Sequence, residues 1–330
     1  MIKSKKTYII AEIGNNHNGN FNLAKRSIIS AASAGVNAIK FQSYNSEEFM
    51  SNKNLVYKYK THKGFKKESM YKMFKRIQFK KNWYVPLFKL CKKLKIDFLS
   101  SAADIESINI LRKIGCKTVK IASEDIINYP LLKYLSKTNL KVILSTGMAD
   151  QNEIKSALKI LNKRKVYLLH CVSLYPTEEK NLNLRRILSL KKFKIPVGFS
   201  DHSLGIDAPL AAVAMGATII EKHFTINKKL IGPDHLISLD TKDFKKLVFK
   251  IRQIEIMSGF GHIKPEKKEY LMRKKFRRSI VAKKKILKGQ KILKSMLALK
   301  RPGTGLHPRY LDKIIGRVSK RIFYKDMQIK

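Results

Sequence analysis

Eight short apolar or β-branched runs recur along the chain, and segments with helical periodicity lie between them. The runs occupy residues 8–13, 38–42, 96–101, 118–122, 142–146, 166–171, 196–200 and 218–223. Amphipathic segments lie at residues 23–34, 82–94, 106–114, 153–161, 184–190 and 208–215. Gly35, Gly115 and Gly216 stand where helix C-caps are expected, just before the next strand. Near-continuously apolar strands that alternate with helices are typical of a parallel sheet covered on its outer face.

The number of these units predicts an α/β fold, a (β/α)₈ TIM barrel over residues 1–260. Eight strand–helix units match such a barrel in number and length, and an open, doubly wound sheet is the alternative. Residues 261–277 are charged and are predicted to form a linker. Residues 278–330 are predicted to form a small second domain, in which the pattern of residues 280–290 is echoed by residues 317–327. We expect a domain this small to lean on a barrel or on a partner subunit.

The balance of charge is the abnormal feature of the composition. Seventy Lys and Arg residues against 24 Asp and Glu give a formal net charge of +46. Such a charge would suit a nucleic acid or an anionic membrane surface. The lysines are spread along nearly the whole chain, however, and the basic and aromatic residues of segment 71–95 fit an amphipathic helix with its aromatic side in the core. We therefore predict no specific nucleic-acid partner.

Cellular location is predicted from what the sequence lacks. No apolar run approaches the roughly 18 residues of a membrane span, and the first 13 residues do not have the pattern of a signal peptide. The three cysteines, Cys91, Cys116 and Cys171, are odd in number and lack metal-type spacing, which suits reduced, buried thiols. We expect a cytoplasmic protein without membrane insertion.

Polar residues interrupt the apolar runs near the carboxyl ends of the predicted strands, where barrel enzymes carry their active sites. They are Glu12, Lys40, Gln42, Lys120, Ser123, Ser145, His170, Ser173, Ser200, Asp201, His202, Glu221 and His223. One such residue would mean little, because a buried His or Ser is usually a satisfied structural group. Their recurrence at seven strand ends predicts a site.

The residue types predict the chemistry of this site. Lys40 and Lys120, with nearby serines, supply the point charges and short donors that bind a small dianion. His202 and His223 follow neighbouring strands and could share one divalent ion, with open positions for water and substrate. Proton transfer or binding of sugar hydroxyls is open to four carboxyl groups: Glu12, Asp125, Glu221 and Asp234.

Several of these residues lie in recognisable motifs. The motifs are AEIGNNHNG at residues 11–19, KFQ at 40–42, KIAS at 120–123, LSTGM at 144–148, HCVSLYPT at 170–177, GFSDHSLG at 198–205, EKHF at 221–224 and GPDH at 232–235. Their order and spacing strongly resemble the N-acetylneuraminate (sialic acid) synthase family. The C-terminal piece, with RPGTG at residues 301–305, resembles the antifreeze-like (SAF, β-clip) domain of that family.

The resemblance implies a reaction and a role for each matching residue. C3 of phosphoenolpyruvate would attack the C1 aldehyde of an open-chain N-acyl amino sugar, water would add at C2, and phosphate would leave with C–O cleavage. Phosphoenolpyruvate would bind to Lys40, Lys120, Ser123, Ser145, Ser173 and Ser200. Mn²⁺ or another divalent ion would bind to His202 and His223. Glu12, Asp125 and Asp234 would be catalytic. Gln42, Tyr175 and Arg301 would contact the sugar, Arg301 from the other subunit of a homodimer with exchanged C-terminal domains.

Departures from the family pattern bear on the identity of the sugar. Ser173 stands where Asn is usual, and Asp125 stands where Glu is common. Residues 101–104 read Ser-Ala-Ala-Asp in place of the familiar Ser-Thr-Pro-Phe-Asp. We expect an N-acetylneuraminate synthase that uses N-acetylmannosamine. Legionaminate or pseudaminate synthesis from a 2,4-diacetamido-trideoxyhexose is the alternative. More distant alternatives are a Schiff-base aldolase that uses Lys120 and a basic nucleic-acid-binding protein.

Overall fold

A computed structural model describes residues 6–161, 165–259 and 261–330 of the chain. The chain divides into two compact units, Met1–Gly259 and Phe260–Lys330. Among the described residues, no helix combines the length and the apolar character that crossing a membrane requires.

The first unit is a closed barrel of eight strands, all paired in parallel. The barrel strands are β1 (Tyr8–Gly14), β2 (Ala38–Ser43), β5 (Asp97–Ala102), β6 (Thr118–Ile121), β7 (Lys141–Ser145), β8 (Val166–Cys171), β9 (Val197–Asp201) and β10 (Ile219–His223). Their order around the barrel is β1, β10, β9, β8, β7, β6, β5, β2. The predicted fold class is therefore confirmed, and the predicted strands agree with the observed ones to within one or two residues.

Helices cover the outside of the barrel. They are α1 (Phe21–Ser33), α4 (Tyr84–Lys93), α5 (Ile105–Lys113), α6 (Tyr129–Ser136), α7 (Gln151–Ile160), α8 (Arg186–Lys191), α9 (Asp207–Ala214) and α10 (Thr241–Ser258). Side chains cap several N-termini; Asp150 and Glu153, for example, form a capping box at α7. Gly35, Gly115 and Gly216 follow helix ends with φ between +83° and +95°, a left-handed conformation that favours glycine. The predicted C-caps are thus confirmed.

Apolar side chains fill two layers of this unit. One large cluster lies between the strands and the helices and includes Ile9, Phe41, Phe199 and Leu247. A smaller cluster, with Ile10, Ile143 and Ile219, fills the barrel interior. Because side chains alternate along a strand, the residues between these interior positions face the helices. The core therefore fixes which strand-end residues point into the barrel.

An insert of two strands and two helices separates β2 from α4. It contains α2 (Ser46–Phe49), β3 (Val56–Thr61), β4 (Gly64–Ser69) and α3 (Met70–Ile77), with β3 and β4 paired as an antiparallel hairpin. Tyr59, Met73 and Ile77 form its own small core. The single amphipathic helix predicted over residues 71–95 is wrong, because α3 ends at Ile77 and α4 begins at Tyr84. Its aromatic side chains do lie inward, as predicted: Phe79 and Trp83 are buried.

The second unit has a core of its own, which includes Ile280, Ile286, Ile292 and Phe323. It contains α11 (Lys267–Phe276), β11 (Ser279–Ala282), β12 (Leu297–Lys300) and α12 (Leu311–Ile314). Helix α11 lies within the segment predicted as a linker, and Glu266 and Glu269 form a capping box at its start. An isolated bridge pairs the two copies of the weak repeat, Ile286 with Phe323, and a second bridge joins Lys291, just after the first copy, to Val318.

Candidate active site

A cavity of about 500 Å³ opens at the carboxyl ends of the barrel strands. Thirteen of the fourteen predicted site residues line it: Glu12, Lys40, Gln42, Lys120, Ser123, Asp125, Ser145, Ser173, Tyr175, Ser200, His202, His223 and Asp234. Arg301, the fourteenth, belongs to the second unit, where its guanidinium lies 5.5 Å from the centre of the Phe276 ring. Its contact with a sugar stays a prediction.

Two polar residues noted at the strand ends do not line the cavity. His170 packs its ring on Phe199 and has Nε2 2.7 Å from the carbonyl oxygen of Leu182. Asp201 forms an ion pair with Lys222, and both side chains are fully buried. Strand alternation places both groups on the outer face of the barrel, so their roles are structural.

Lys40 lies on the cavity floor among acidic partners. Its Nζ is 2.8 Å from Glu12 Oε2, 2.9 Å from Ser101 Oγ and 3.7 Å from Glu221 Oε1. Burial alone would lower the pKa of Lys40, but the two carboxylates raise it above its ordinary value. Lys40 is therefore a cation, and much of its charge is already balanced by Glu12.

Lys120 stands in contrast to Lys40. Its buried Nζ donates to the backbone oxygen of Ile121 at 3.0 Å, and within the described ranges no carboxylate forms an ion pair with it. Burial lowers the pKa of Lys120 below its ordinary value. A dianion that entered the cavity would supply the counter-charge that Lys120 lacks.

Three serines also line the cavity. Ser200 Oγ donates to Glu221 Oε1 at 2.9 Å, and Ser123 Oγ accepts from the N–H of Gly147 at 3.1 Å. Ser145 Oγ is buried and has no hydrogen-bond partner among the described residues. A side chain at position 147 would clash with the serines, because its Cβ would lie 2.5 Å from Ser173 Oγ and 2.7 Å from Ser123 Oγ. Glycine at 147 thus keeps this group of hydroxyls together.

His202 and His223 lie side by side, with ring centres 5.5 Å apart. His202 Nδ1 lies 2.7 Å from the carbonyl oxygen of Val172. This contact fixes the orientation of the ring, with the Nε2 lone pair directed away from Val172. Burial and the neighbouring His202 hold the pKa of His223 well below its usual range, so His223 is neutral. Its Nδ1 is buried without a hydrogen-bond partner, 3.9 Å from Asp234 Oδ2.

This arrangement fits a divalent ion held by two imidazoles. Ligating histidines are usually neutral and are oriented by a backbone oxygen or a carboxylate. The backbone oxygen of Val172 orients His202, and burial favours the neutral form of His223. No group of three or more His, Cys, Asp and Glu side chains in the described part of the chain has the geometry of a metal site. Two histidines would leave other coordination positions for water or a substrate oxygen. The metal role of the pair stays a prediction.

Three carboxyl groups in the cavity have raised pKa values. Burial raises the pKa of Glu12 to about 7, even though the charge of Lys40 opposes this. Burial also raises the pKa values of Asp125 and Asp234 to about 6. Groups that titrate near neutral pH can both accept and donate protons during a reaction, which is the property expected of these residues.

The cavity also contains residues that the sequence reasoning did not select. Asn15 hydrogen-bonds to Asp234 and lies in the predicted loop after β1, within a run of polar residues that was the available signal. Ser101 bonds to Lys40. Cys171, interpreted as a small hydrophobe, is indeed buried, but it lines the cavity with Sγ 3.9 Å from His202 Nδ1. Five residues of the insert, Phe49, Tyr57, Met70, Met73 and Phe74, also line the cavity.

Comparison with known proteins agrees with this geometry. The model of the NeuB family matches residues 27–263, and that of the SAF domain matches residues 277–330. The chain belongs to the NeuB family. The resemblance to N-acetylneuraminate synthases with a C-terminal SAF domain is thereby confirmed.

Individual NeuB-family relatives cover nearly the whole chain. An N,N'-diacetyllegionaminic acid synthase of Campylobacter jejuni is 41% identical over 99% of both chains. An uncharacterised protein of Methanocaldococcus jannaschii is 43% identical over 96% of this chain and 90% of its own. The solved structure of an N-acetylneuraminic acid synthetase from Leptospira borgpetersenii, bound to citrate, is 41% identical, with a TM-score of 0.74 over 81% of this chain and 90% of that one. The chain is thus an enzyme of the nonulosonic acid synthase type.

Proposed function

We propose that the chain condenses phosphoenolpyruvate with an N-acyl amino sugar to give a nonulosonic acid and phosphate. The observation that carries the proposal is the division of the cavity floor. One side has a buried lysine without a carboxylate partner, Lys120, together with serine hydroxyls. The other side has two adjacent histidines and Asp234. The first side suits an anionic phosphoester, and the second suits a carbonyl oxygen.

Phosphoenolpyruvate binds on the lysine side. Its phosphate pairs with Lys120 and accepts hydrogen bonds from Ser123, Ser145 and Ser173. Its carboxylate approaches Lys40, whose ammonium has three N–H donors, two of them directed at Glu12 and Ser101. Ser200 completes this set from β9.

The sugar aldehyde binds on the histidine side. His202 and His223 would hold Mn²⁺ or a similar ion, which would supply a Lewis acid for the aldehyde oxygen. Glu12 lies beside His223 in the strand register, and its pKa of about 7 suits proton exchange with that oxygen. Gln42, Tyr175 and Asp234 bind the remaining polar groups of the sugar.

The reaction forms one carbon–carbon bond and breaks the bond between C2 and the phosphate oxygen. C3 of phosphoenolpyruvate forms a bond to C1 of the aldehyde, and the aldehyde oxygen gains a proton. Water adds to the electron-deficient C2 and loses a proton to Asp125. The C2–O bond to phosphate breaks, phosphate leaves with the bridging oxygen and takes up the proton of the new hydroxyl, and the oxygen of that hydroxyl becomes the C2 ketone oxygen. The sum is one phosphoenolpyruvate, one aldehyde and one water giving one keto acid and one phosphate.

Isotope labelling tests this reaction. The enzyme would be incubated with Mn²⁺, amino sugars and phosphoenolpyruvate that carries ¹⁸O in the bridging position. Phosphate that contains the label, together with a nonulosonic acid seen by mass spectrometry, is the expected result. Label retained in the keto acid, or no sugar-dependent phosphate release, would refute the proposal.

One observation favours a second candidate, a Schiff-base aldolase. Burial lowers the pKa of Lys120, and a lysine with a lowered pKa is the nucleophile of such enzymes. Treatment with borohydride and a keto acid would then add the mass of the reduced adduct to wild type and not to Lys120→Ala. The synthase proposal expects no adduct on Lys120.

We also propose that the enzyme is a cytoplasmic homodimer in which Arg301 of one chain reaches the sugar bound by the other. The three cysteines are all unpaired and buried, which suits a reducing compartment. The second unit has a small core, and Arg301 is exposed and lies in a turn there. An exposed arginine on a small unit is available to a partner subunit.

A further inference from the structure

Asp234 lies on a long loop between β10 and α10, which we call the Asp234 loop and define as residues 224–240. The structure describes all of these residues, and they form no helix and no strand. Regular backbone therefore does not fix the Asp234 carboxyl group in the way that a barrel strand fixes Glu12. The group is nevertheless buried, with Oδ2 3.9 Å from His223 Nδ1. Contacts from outside the loop are needed to hold it there.

Asn16, in the loop that follows β1, makes two such contacts. Its side-chain amide has two N–H donors, and Nδ2 donates to the carbonyl oxygen of Phe224 at 2.9 Å and to Ser238 Oγ at 2.8 Å. Asn16 is 1% exposed and Ser238 is 2% exposed, so water does not replace these bonds when they are lost. Phe224 directly follows His223 in the sequence. Asn16 thus ties the start of the Asp234 loop to a residue near its end.

Ser238 extends this link to Asp234 itself. Its Oγ donates to the carbonyl oxygen of Asp234 at 2.6 Å. A hydroxyl has one hydrogen to donate and can accept at the same time, so both bonds of Ser238 form together. Asn15 hydrogen-bonds to the side chain of Asp234. Two consecutive asparagines therefore act on Asp234, Asn15 on its carboxyl group and Asn16 on its backbone.

A second set of contacts holds the residues on either side of Asp234. Asn18 Nδ2 donates to the carbonyl oxygen of Ile231 at 3.0 Å and lies 3.1 Å from His235 Nε2. Burial lowers the pKa of His235 to about 4, so its ring is neutral. Because the amide of Asn18 donates, Nε2 accepts, and the Nδ1–H of His235 donates to Thr225 Oγ1 at 2.8 Å. The loop is thus anchored before and after Asp234.

We propose that Asn16 and Ser238 are positioning residues that hold Asp234 beside His223 for the sugar to bind. This inference rests on the function proposed above, in which Asp234 binds polar groups of the sugar. Neither Asn16 nor Ser238 lines the cavity, so an effect of either on sugar binding passes through another residue. Removing a partner that orients a ligating group typically costs about 10–100-fold in affinity or activity.

Ser238→Ala tests the link directly, because it separates Asn16 from Asp234 and keeps the bond from Asn16 to Phe224. KM would be measured with N-acetylmannosamine or a 2,4-diacetamido-trideoxyhexose, whichever the wild type uses. KM for the sugar should rise about tenfold, and KM for phosphoenolpyruvate should not change. Ser27→Ala is the matched control and should alter neither constant. Ser27 Oγ is also buried and has no hydrogen-bond partner among the described residues.

A double-mutant cycle distinguishes positioning of Asp234 from a general loss of structure. Asp234→Ala removes the carboxyl group that is positioned. Ser238→Ala should then raise KM for the sugar by less than about twofold in the Asp234→Ala background. An equal rise in both backgrounds would show that Ser238 acts independently of Asp234 and would overturn the inference.

Asn16→Leu supplies a second variant, since it keeps the size of the side chain and removes both donors. It should raise KM for the sugar at least as much as Ser238→Ala does, because the bond to Phe224 is lost as well. Urea unfolding followed by Trp83 fluorescence checks that each variant is folded. A folded Asn16→Leu enzyme with the wild-type KM for the sugar would also overturn the inference. If Asn16→Leu does not fold, the Ser238→Ala cycle decides.

The outcomes separate this inference from the proposed function. If the wild type releases phosphate and Ser238→Ala keeps the wild-type KM for the sugar, the positioning role is refuted and the synthase reaction stands. If no amino sugar supports phosphate release by the wild type, the proposed function fails, and the inference fails with it.

Discussion

Lys222 on β10 and Asp201 on β9 form an ion pair in which neither side chain reaches solvent. Lys222 also donates to the backbone oxygen of Ser203, and Asp201 accepts from the N–H and hydroxyl of Ser203. The two residues immediately precede His223 and His202 in the sequence. The pair therefore joins, on the outer face of the barrel, the two strand ends that carry the predicted metal ligands.

We expect Lys222→Met to destabilise the barrel by about 3–5 kcal/mol, because it leaves the charge of Asp201 buried and unpaired. Adding Asp201→Asn should recover much of that loss. Lys228→Met is the matched control, since its pair with Asp243 is 38% exposed on each side and should be worth about 0–1 kcal/mol. The single tryptophan, Trp83, reports barrel unfolding in urea. Equal losses in Lys222→Met and Lys228→Met would contradict this reasoning.

The metal prediction concerns His202 and His223. We expect chelation to abolish turnover and Mn²⁺ or Co²⁺ to restore it. Replacing either histidine by alanine should weaken Mn²⁺ binding, measured by calorimetry, and lower the rate together. His62→Ala, in the exposed turn of the insert hairpin, should change neither. Full activity of the double alanine variant in EDTA would disprove the assignment.

A third prediction separates the two sides of the cavity. Lys120→Ala should raise KM for phosphoenolpyruvate far more than KM for the sugar, because a buried anion that loses its charged partner forfeits about 2–5 kcal/mol. Lys117→Ala changes an exposed lysine just before the same strand and should have no effect. Lys120→Arg should rescue poorly, since a planar fork replaces a compact ammonium. A change confined to KM for the sugar would move the phosphoenolpyruvate site elsewhere.

The pH dependence follows from Asp125. Burial raises its pKa to about 6, so the form that accepts a proton from water is present above that pH and is lost as the pH falls through it. We expect kcat to fall on the acid side of about pH 6 and Asp125→Asn to lower kcat by about 10²–10⁴-fold. Asp234→Asn should keep the acid limb and raise KM for the sugar. A kcat near the wild-type value in Asp125→Asn would exclude Asp125 as the base that accepts the proton from water.

The barrel was predictable because its strands carry a local signal. Buried parallel strands read as continuous apolar runs, and a charged residue such as Lys120 inside such a run is conspicuous. The residues on the floor of the cavity could therefore be predicted from the strand ends and the motif matches. The pairing of Lys40 with Glu12 could not be predicted, because it depends on the register between β1 and β2.

The insert shows why other residues that line the cavity could not be predicted. Tyr57 and Tyr59 alternate with Lys58 and Lys60, a period of two that indicates a strand, but the hairpin lies outside the eightfold repeat. Its Met and Phe residues read as ordinary core positions. Only tertiary structure shows that Met70 and Phe74 face the cavity.

The last prediction tests whether sites form between two chains. Arg301→Ala and His223→Ala should each be inactive alone, the first through the C-terminal unit and the second through the barrel. If Arg301 completes the site of the partner, a mixed dimer has one site with both changes and one with neither. Random pairing of equal amounts would then restore about 25% of the wild-type sites.

The control for this experiment keeps both changes in one chain. Co-expression of the Arg301→Ala/His223→Ala double variant with wild type gives mixed dimers in which each site has one defect, if sites form between chains. If each chain completes its own site, those same dimers keep one intact site, and the two single variants stay inactive when mixed. Activity in the single-variant mixture together with its loss in these mixed dimers would establish the exchange, and the reverse pattern would eliminate it.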